Sequence, residues 1–317
     1  MWEFLVSFMP RAIMQGMPLL YGSTGEILTQ KSGNLNLGIP GVMFVGAISG
    51  VTGAFFYEQA ARAGSLEMNG FFAVLIPLLC CLVGSFLMGL LYCFLTVTLR
   101  ANQNVTGLAM TIFGVGIAQF LGGSLIKITH SQVPSLTIAD TCQYFSDGNV
   151  PGWLAYVGVG IAILVSLFLR FTRTGLQLRA VGENPATADA AGINVTRYKY
   201  VATIIGCMIA GIGGLYYIME CSHGTWSEPK IDQSGWLAIA LVIFTTWRPS
   251  ISIFASILFG GLLILSTYLS LPLGIKELYT LAPYVVTLIV LILVSLRKKR
   301  ENQPPQSLGL AYFREER

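Results

Sequence analysis

Long apolar runs separated by short polar intervals set the layout of this chain. They fall at about 12–29, 41–57, 71–98, 105–126, 151–170, 200–219, 234–247, 251–270 and 280–296. None shows the period of two that marks a half-buried strand. A helix needs roughly 20 apolar residues to cross a hydrocarbon core of about 30 Å. Backbone groups in lipid must be satisfied internally, so spans are helices or closed barrels, and unbroken runs select helices. The pattern predicts an all-α, polytopic transmembrane helical bundle of about 8–10 membrane segments. Nine follow if every run is one span. Eight or ten follow if the glycine-interrupted run at 12–29 or the short run at 234–247 is re-entrant. The run at 71–98 exceeds one span and is expected to tilt or kink at Pro77. Gly107, Gly114, Gly116, Gly122 and Gly123 in one run, and Gly206, Gly211, Gly213 and Gly214 in another, permit close approach of helix backbones.

Two polar intervals break this pattern in an informative way. The longer is Arg173 to Lys199: a basic lead-in, then Gly182-Glu183-Asn184-Pro185, then an Ala-rich stretch closed by Gly192. Asn184 as N-cap, Pro185 at the first helical position and Gly192 past the end predict a short helix over 186–191. Asp189 is its only charge, so its surface is small and smooth, a shape suited to a groove on another protein. An ordinary solvated loop is the other reading of the same residues. The second interval, Glu26 to Gly41, sets Asn34, Asn36, three glycines and Pro40 against the next apolar run. Helix-breaking polar sequence at the mouth of a span points to unwound backbone inside protein or beside a cavity, or to a simple turn.

Composition agrees with the membrane reading: 54% of the 317 residues are hydrophobic and only 11% charged, where a soluble domain carries about 25% charged residues. The formal charge of +4 does not indicate nucleic acid, because the basic residues are spread over loops and one tail. Alternating spans put Arg11, Arg62, Lys127, Lys230 and Lys276 on one side and the other 14 basic residues opposite. The positive-inside rule makes the second side, with the 171–199 loop and the C-terminus, cytoplasmic. Residues 1–300 form a single transmembrane domain, and 301–317 read as a cytoplasmic polar tail.

The six cysteines and two lone histidines suggest no metal site, and no cofactor is expected. Cys142 and Cys221 fall in loops on the outer side, where a disulfide would persist, though nothing in the sequence brings them together. There is no G-x-x-x-x-G-K-[ST] loop, no HExxH and no carboxylate cluster, so the chain carries no visible catalytic set and is read as not an enzyme. Ionisable groups are nearly absent from the apolar runs, with Glu26 near a boundary. A solute path is conceivable on these residues, but its energy source lies elsewhere. The Ala-rich helix then becomes a docking element for a separate ATPase.

Residues 173–193 resemble the coupling loop of bacterial ATP-binding-cassette importer permeases, in the branch handling nucleosides, simple sugars and branched-chain amino acids. Gly25-Glu26 through Gly41 is similar to the signature near the N-terminus of the nucleoside permeases, and the chain looks like their shorter subunit. The resemblance implies a type II-like importer in the bacterial cell membrane. A second, different permease subunit, two cytoplasmic ATPases and an external substrate-binding lipoprotein would complete it. It assigns coupling to Arg179, Gly182, Glu183, Asn184, Pro185, Ala188, Ala191 and Gly192 within a coupling loop of about 171–199. Two departures bear on the substrate: Pro40 stands where an acidic residue is usual, and Gln30-Lys31 where Glu-Arg is frequent.

For the solute path the candidates are Asn34, Asn36, Asn104 and Thr106, though each taken alone reads first as a satisfied helix cap or turn residue. Trp226 and Trp236 read by default as interfacial anchors, or else as contacts for a binding protein or a base. A sugar or branched-chain amino acid permease is the near alternative. A self-contained secondary carrier is the alternative of a different class.

Overall fold

The computed structural model describes residues 2–64, 67–128, 135–146, 150–227, 231–268, 281–296 and 303–313. Each apolar run contains a helix covering most of its described residues. In chain order these are α1 (Trp2–Lys31), α2 (Ile39–Arg62), α3 (Gly70–Cys93) and α4 (Gln103–Ile128). A two-residue strand β1 (Leu136–Thr137) and the short α5 (Ala139–Cys142) precede α6 (Trp153–Phe171). Then come α7 (Arg173–Glu183), α8 (Pro185–Ala190), α9 (Val195–Tyr216), β2 (Thr225–Trp226), α10 (Ile231–Phe244), α11 (Pro249–Tyr268) and α12 (Ala282–Leu296). One π-helical turn extends α3 over Phe94–Thr98, and another extends α9 over Tyr217–Cys221.

Among the described residues, five helices are long and apolar enough to cross a membrane: α2, α4, α6, and α3 and α9 with their π turns. The most apolar window of α2 is 78% buried and that of α9 72%, against 28% in α3 and 33% in α4 and α6. The first two are therefore the middle of the bundle. The others turn Phe71, Val83, Ile112, Phe120 and Leu164 outward, as lipid-facing helices must. The helix of α3 continues through Pro77, so the expected kink is not a break. At the α1–α9 crossing the backbones touch: a Cβ on Gly206 would sit 2.5 Å from the Gly25 carbonyl oxygen. Only small residues allow that approach.

At the end remote from α7 and α8, the two polar loops are joined by an antiparallel pairing of Leu136 with Trp226 and Thr137 with Thr225. Trp226 is buried beside Gly122, so it is a packing residue; Trp236 is 37% exposed. The suggested Cys142–Cys221 disulfide is corrected. Both thiols are free. The Cys142 thiol donates to the Met219 carbonyl at 3.0 Å and the Cys221 thiol to that of Met14 at 3.4 Å, so each is held on a different backbone.

Candidate functional site

The geometry of a capped helix start explains α8. The Asn184 side-chain oxygen accepts from the Thr187 amide at 3.1 Å. At the far end Gly192 takes φ +82°, and the Ile193 amide closes onto the Ala188 carbonyl at 3.0 Å. The helix sits one residue earlier than expected at each end. Ala188 is buried with Val181 and Val195, which fixes α8 to α7 and α9. Glu183, Asn184, Thr187, Ala190, Ala191 and Gly192 face outward, forming a small uncluttered surface.

The basic lead-in is itself a helix, α7, started by Thr172 accepting from the Gly175 amide at 3.0 Å. Its buried residues Gly175, Leu178, Val181 and Gly182 recur at helical spacing. That signal was present in the sequence beneath the charges. Gly182, in the last turn of α7, lies against the backbone of Lys31 and Gly33, and a Cβ there would overlap the Lys31 carbonyl oxygen. The two polar intervals singled out in the sequence are thus in direct backbone contact.

The second interval is unwound over Leu35–Gly38, largely buried, and held by named side chains. The Leu35 amide donates to Gln103 Oε1 at 2.7 Å, and the Leu35 carbonyl accepts from the Tyr92 hydroxyl at 2.6 Å. The Asn36 amide donates to Glu26 Oε1 at 3.1 Å. The Leu37 carbonyl accepts from Thr111 at 3.0 Å, and the Gly38 amide donates to Asn36 Oδ1 at 2.9 Å. Side chains from α1, α3 and α4 therefore replace the missing helical bonds. Gln30 is bonded on both sides: its amide donates to Glu26 Oε1 at 2.8 Å, and its oxygen accepts from the Trp247 indole at 2.6 Å.

Asn34 and Asn36 are fully buried and turned toward α9, donating to Thr203 Oγ1 at 2.9 Å and Cys207 Sγ at 3.4 Å. Thr106 is 8% exposed on the first turn of α4, beside this loop, whereas Asn104 on the same turn is exposed. Gln103, Tyr92, Thr111 and Trp247 were not singled out in the sequence, because nothing local to them marks their distant partners. Glu26 Oε2 and Asn34 Oδ1 are buried with no hydrogen-bond partner, so polar capacity remains in this core.

A third element ties these together. Residues 303–313 lie across the two intervals as a strap: the Ser307 amide donates to the Gly182 carbonyl and the Gly309 amide to the Gly33 carbonyl at 3.2 Å. Tyr312 donates to Asp189 Oδ2 at 2.9 Å, and the Arg100 guanidinium stacks 4.7 Å from the Phe313 ring centre. The described part of the polar tail is thus packed against α7 and α8.

Residues 8–295 match the family described as branched-chain amino acid transport system / permease component. The chain is 32% identical over 303 residues to the nucleoside ABC transporter permease protein NupC of Lactococcus lactis subsp. cremoris, covering 89% of this chain and 90% of that protein. It is 26% identical to the guanosine ABC transporter permease protein NupQ of Bacillus subtilis, over 91% of this chain and 92% of the relative. The putative glucose ABC transporter permease protein TsgC13 of Haloferax volcanii is 29% identical, over 81% and 76%.

Proposed function

This chain belongs to the branched-chain amino acid transport system / permease component family, and we propose that it is the membrane-spanning subunit of an ATP-driven nucleoside importer. It would form the translocation path with a second permease subunit and take its energy from a separate cytoplasmic ATPase. A substrate-binding lipoprotein would deliver the solute from outside. The α7–α8 end and the C-terminus face the cytoplasm in this reading, which agrees with the excess of basic residues there.

The observation that carries the coupling role is the backbone contact between Gly182 and the Lys31–Gly33 turn. A push on the small exposed face of α8 passes through α7 into the unwound Asn34–Gly38 segment without any intervening flexible side chain. Glu183, Asn184, Ala191 and Gly192 would meet the ATPase, while Arg179, Gly182, Pro185 and Ala188 would hold the helices that present them. Nucleosides are favoured as cargo because two similar permeases carry nucleoside or guanosine in their names. Asn34, Asn36, Asn104 and Thr106 remain the residues we assign to the solute path, the first two after a rearrangement that opens the core.

The test is uptake of labelled purine and pyrimidine nucleosides by cells expressing the chain with its partner subunits, wild type against Glu183→Lys. Loss of uptake at unchanged membrane level is expected. Unchanged uptake in the variant would overturn the coupling role. A wild type inactive on nucleosides would overturn the cargo and move the reading to simple sugars or branched-chain amino acids, a second reading supported by the glucose permease relative. Uptake that persists without the ATPase would instead indicate a self-contained carrier.

A further inference from the structure

A cavity of about 430 Å³ opens where α8 turns into α9, and Lys199 forms part of its wall. Lys199 stands in the second turn of α9 and is only 3% exposed. It makes no hydrogen bond or ion pair among the described residues, where the only ion pairs join Arg62 to Glu58 and Asp140. No carboxylate lies within electrostatic reach of it. Buried charges are ordinarily paired and hydrogen-bonded, so this ammonium calls for a partner that the chain does not supply. We propose that the cavity binds a phosphate group against Lys199, carried by a small organic ester or present as free phosphate.

The rest of the wall is rich in donors. Asn194 caps α9 by accepting the Arg197 amide at 3.0 Å, which leaves the first-turn amides of Val195 and Thr196 without a partner among the described residues. The 22-residue α9 thus presents the positive end of its dipole to the cavity. Thr196 adds an exposed hydroxyl, and Arg100 adds the guanidinium held over the Phe313 ring. Arg100 takes φ +56°, two residues past the π turn that extends α3. Strained backbone and π turns both cluster at functional sites. Asp189 is the only carboxylate among the described lining residues, and its Oδ2 accepts from Tyr312 at 2.9 Å, so it is committed to the strap.

Donors from the body of α9, from its first turn and from the end of α3 approach from different directions. The oxygens of a tetrahedral phosphate can meet all three, whereas a carboxylate offers acceptors in one plane only. The volume exceeds what a bare phosphate needs and lies within the roughly 300–1,000 Å³ of small-molecule sites. Val97, Ile193, Val195 and Ala311 line the remainder, an apolar wall for the organic part of an ester. Ala311 and Tyr312 belong to the strap, so a bound ester would tie the strap to α3 and α9.

The import reading is not needed for this inference, because its test reads binding rather than transport. The complete complex in nanodiscs is titrated with ribose 5-phosphate, with inorganic phosphate, and with ribose as the neutral control, all at matched ionic strength. Calorimetry and thermal unfolding compare wild type with Lys199→Met, which keeps a long side chain but removes its charge, and with Arg100→Gln. An ATPase subunit binds phosphate groups of its own, so the difference between wild type and variant is what counts. The expected result is binding of ribose 5-phosphate that raises the unfolding midpoint by several degrees. It should weaken roughly tenfold or more in Lys199→Met, and less in Arg100→Gln. Tighter binding of the ester than of inorganic phosphate identifies an ester as occupant, and equal binding identifies the free ion. Binding that is the same in wild type and Lys199→Met overturns the site. So does a wild type that responds to neither phosphate, or equally to ribose. If Lys199→Met does not assemble, Arg100→Gln decides in the same way.

Discussion

Ser307 donates twice to the Gly182 carbonyl, from its amide at 3.1 Å and from its hydroxyl at 2.6 Å. A residue 125 positions later thus completes the C-terminal end of α7, where helix carbonyls otherwise lack partners. Ser307→Ala removes one of these bonds and is expected to cost about 1 kcal/mol. Deleting residues 303–317 removes the Tyr312 and Phe313 contacts as well. In the assembled importer the deletion should lower solute-stimulated ATP hydrolysis while leaving the membrane level unchanged. Unaltered stimulation would mean that the strap has no part in coupling.

Gly182→Ala tests the backbone contact that the proposed coupling depends on. The new methyl group would overlap the Lys31 carbonyl, with backbone on both sides and no flexible side chain to yield. Overpacking of this kind costs about 1–3 kcal/mol. The expected result is a lower unfolding midpoint together with loss of uptake, and a variant with wild-type uptake would count against a tight contact.

Asn184→Ala removes the cap of α8, worth about 1 kcal/mol, and should fray the proposed docking helix. Asn184→Ser keeps an acceptor at the same place and should retain most of the uptake. Equal loss in both variants would show that the Asn184 side chain acts by direct contact with a partner rather than by capping.

Gln103→Leu strands the part-buried Leu35 amide, at a cost of about 1 kcal/mol. Gln103→Glu keeps an acceptor oxygen and should be less harmful. Thermal unfolding of the two purified variants checks the order.

Burial first, then the Glu220 and Glu58 carboxylates, push the Cys142 thiol up to about 11, against about 8.5 for a free cysteine. A raised value keeps the thiol neutral across physiological pH, so alkylation of Cys142 should be slow at pH 8 and still rising above pH 10. Electrophoretic mobility should not change with reductant. A reductant-sensitive band would restore a disulfide between Cys142 and Cys221.

The helical class was legible because long apolar runs admit few other solutions in lipid. The α8 cap was legible because Asn184, Pro185 and Gly192 act on their immediate neighbours. Gln103 and Ser307 were not, since each bonds to backbone dozens of residues away and neither has a local pattern. The α7 helix was hidden because Arg173, Arg179 and Glu183 outweigh Leu178 and Val181 in any average over that stretch. Trp226 misled for the opposite reason: an indole near a predicted membrane boundary invites an anchoring role, but Gly122 leaves room for it to pack inside.

The segment Leu35–Gly38 borrows its hydrogen bonds from three helices at once. Pulling α1 or α3 away would leave one peptide group of this segment unpaired, and pulling α4 away two, at about 1–3 kcal/mol each. These helices therefore travel as a single rigid block during any transport cycle. The moving seam falls outside them, and the strained Thr246–Trp247 turn, joined to the block through Gln30, is where a hinge would absorb the rotation.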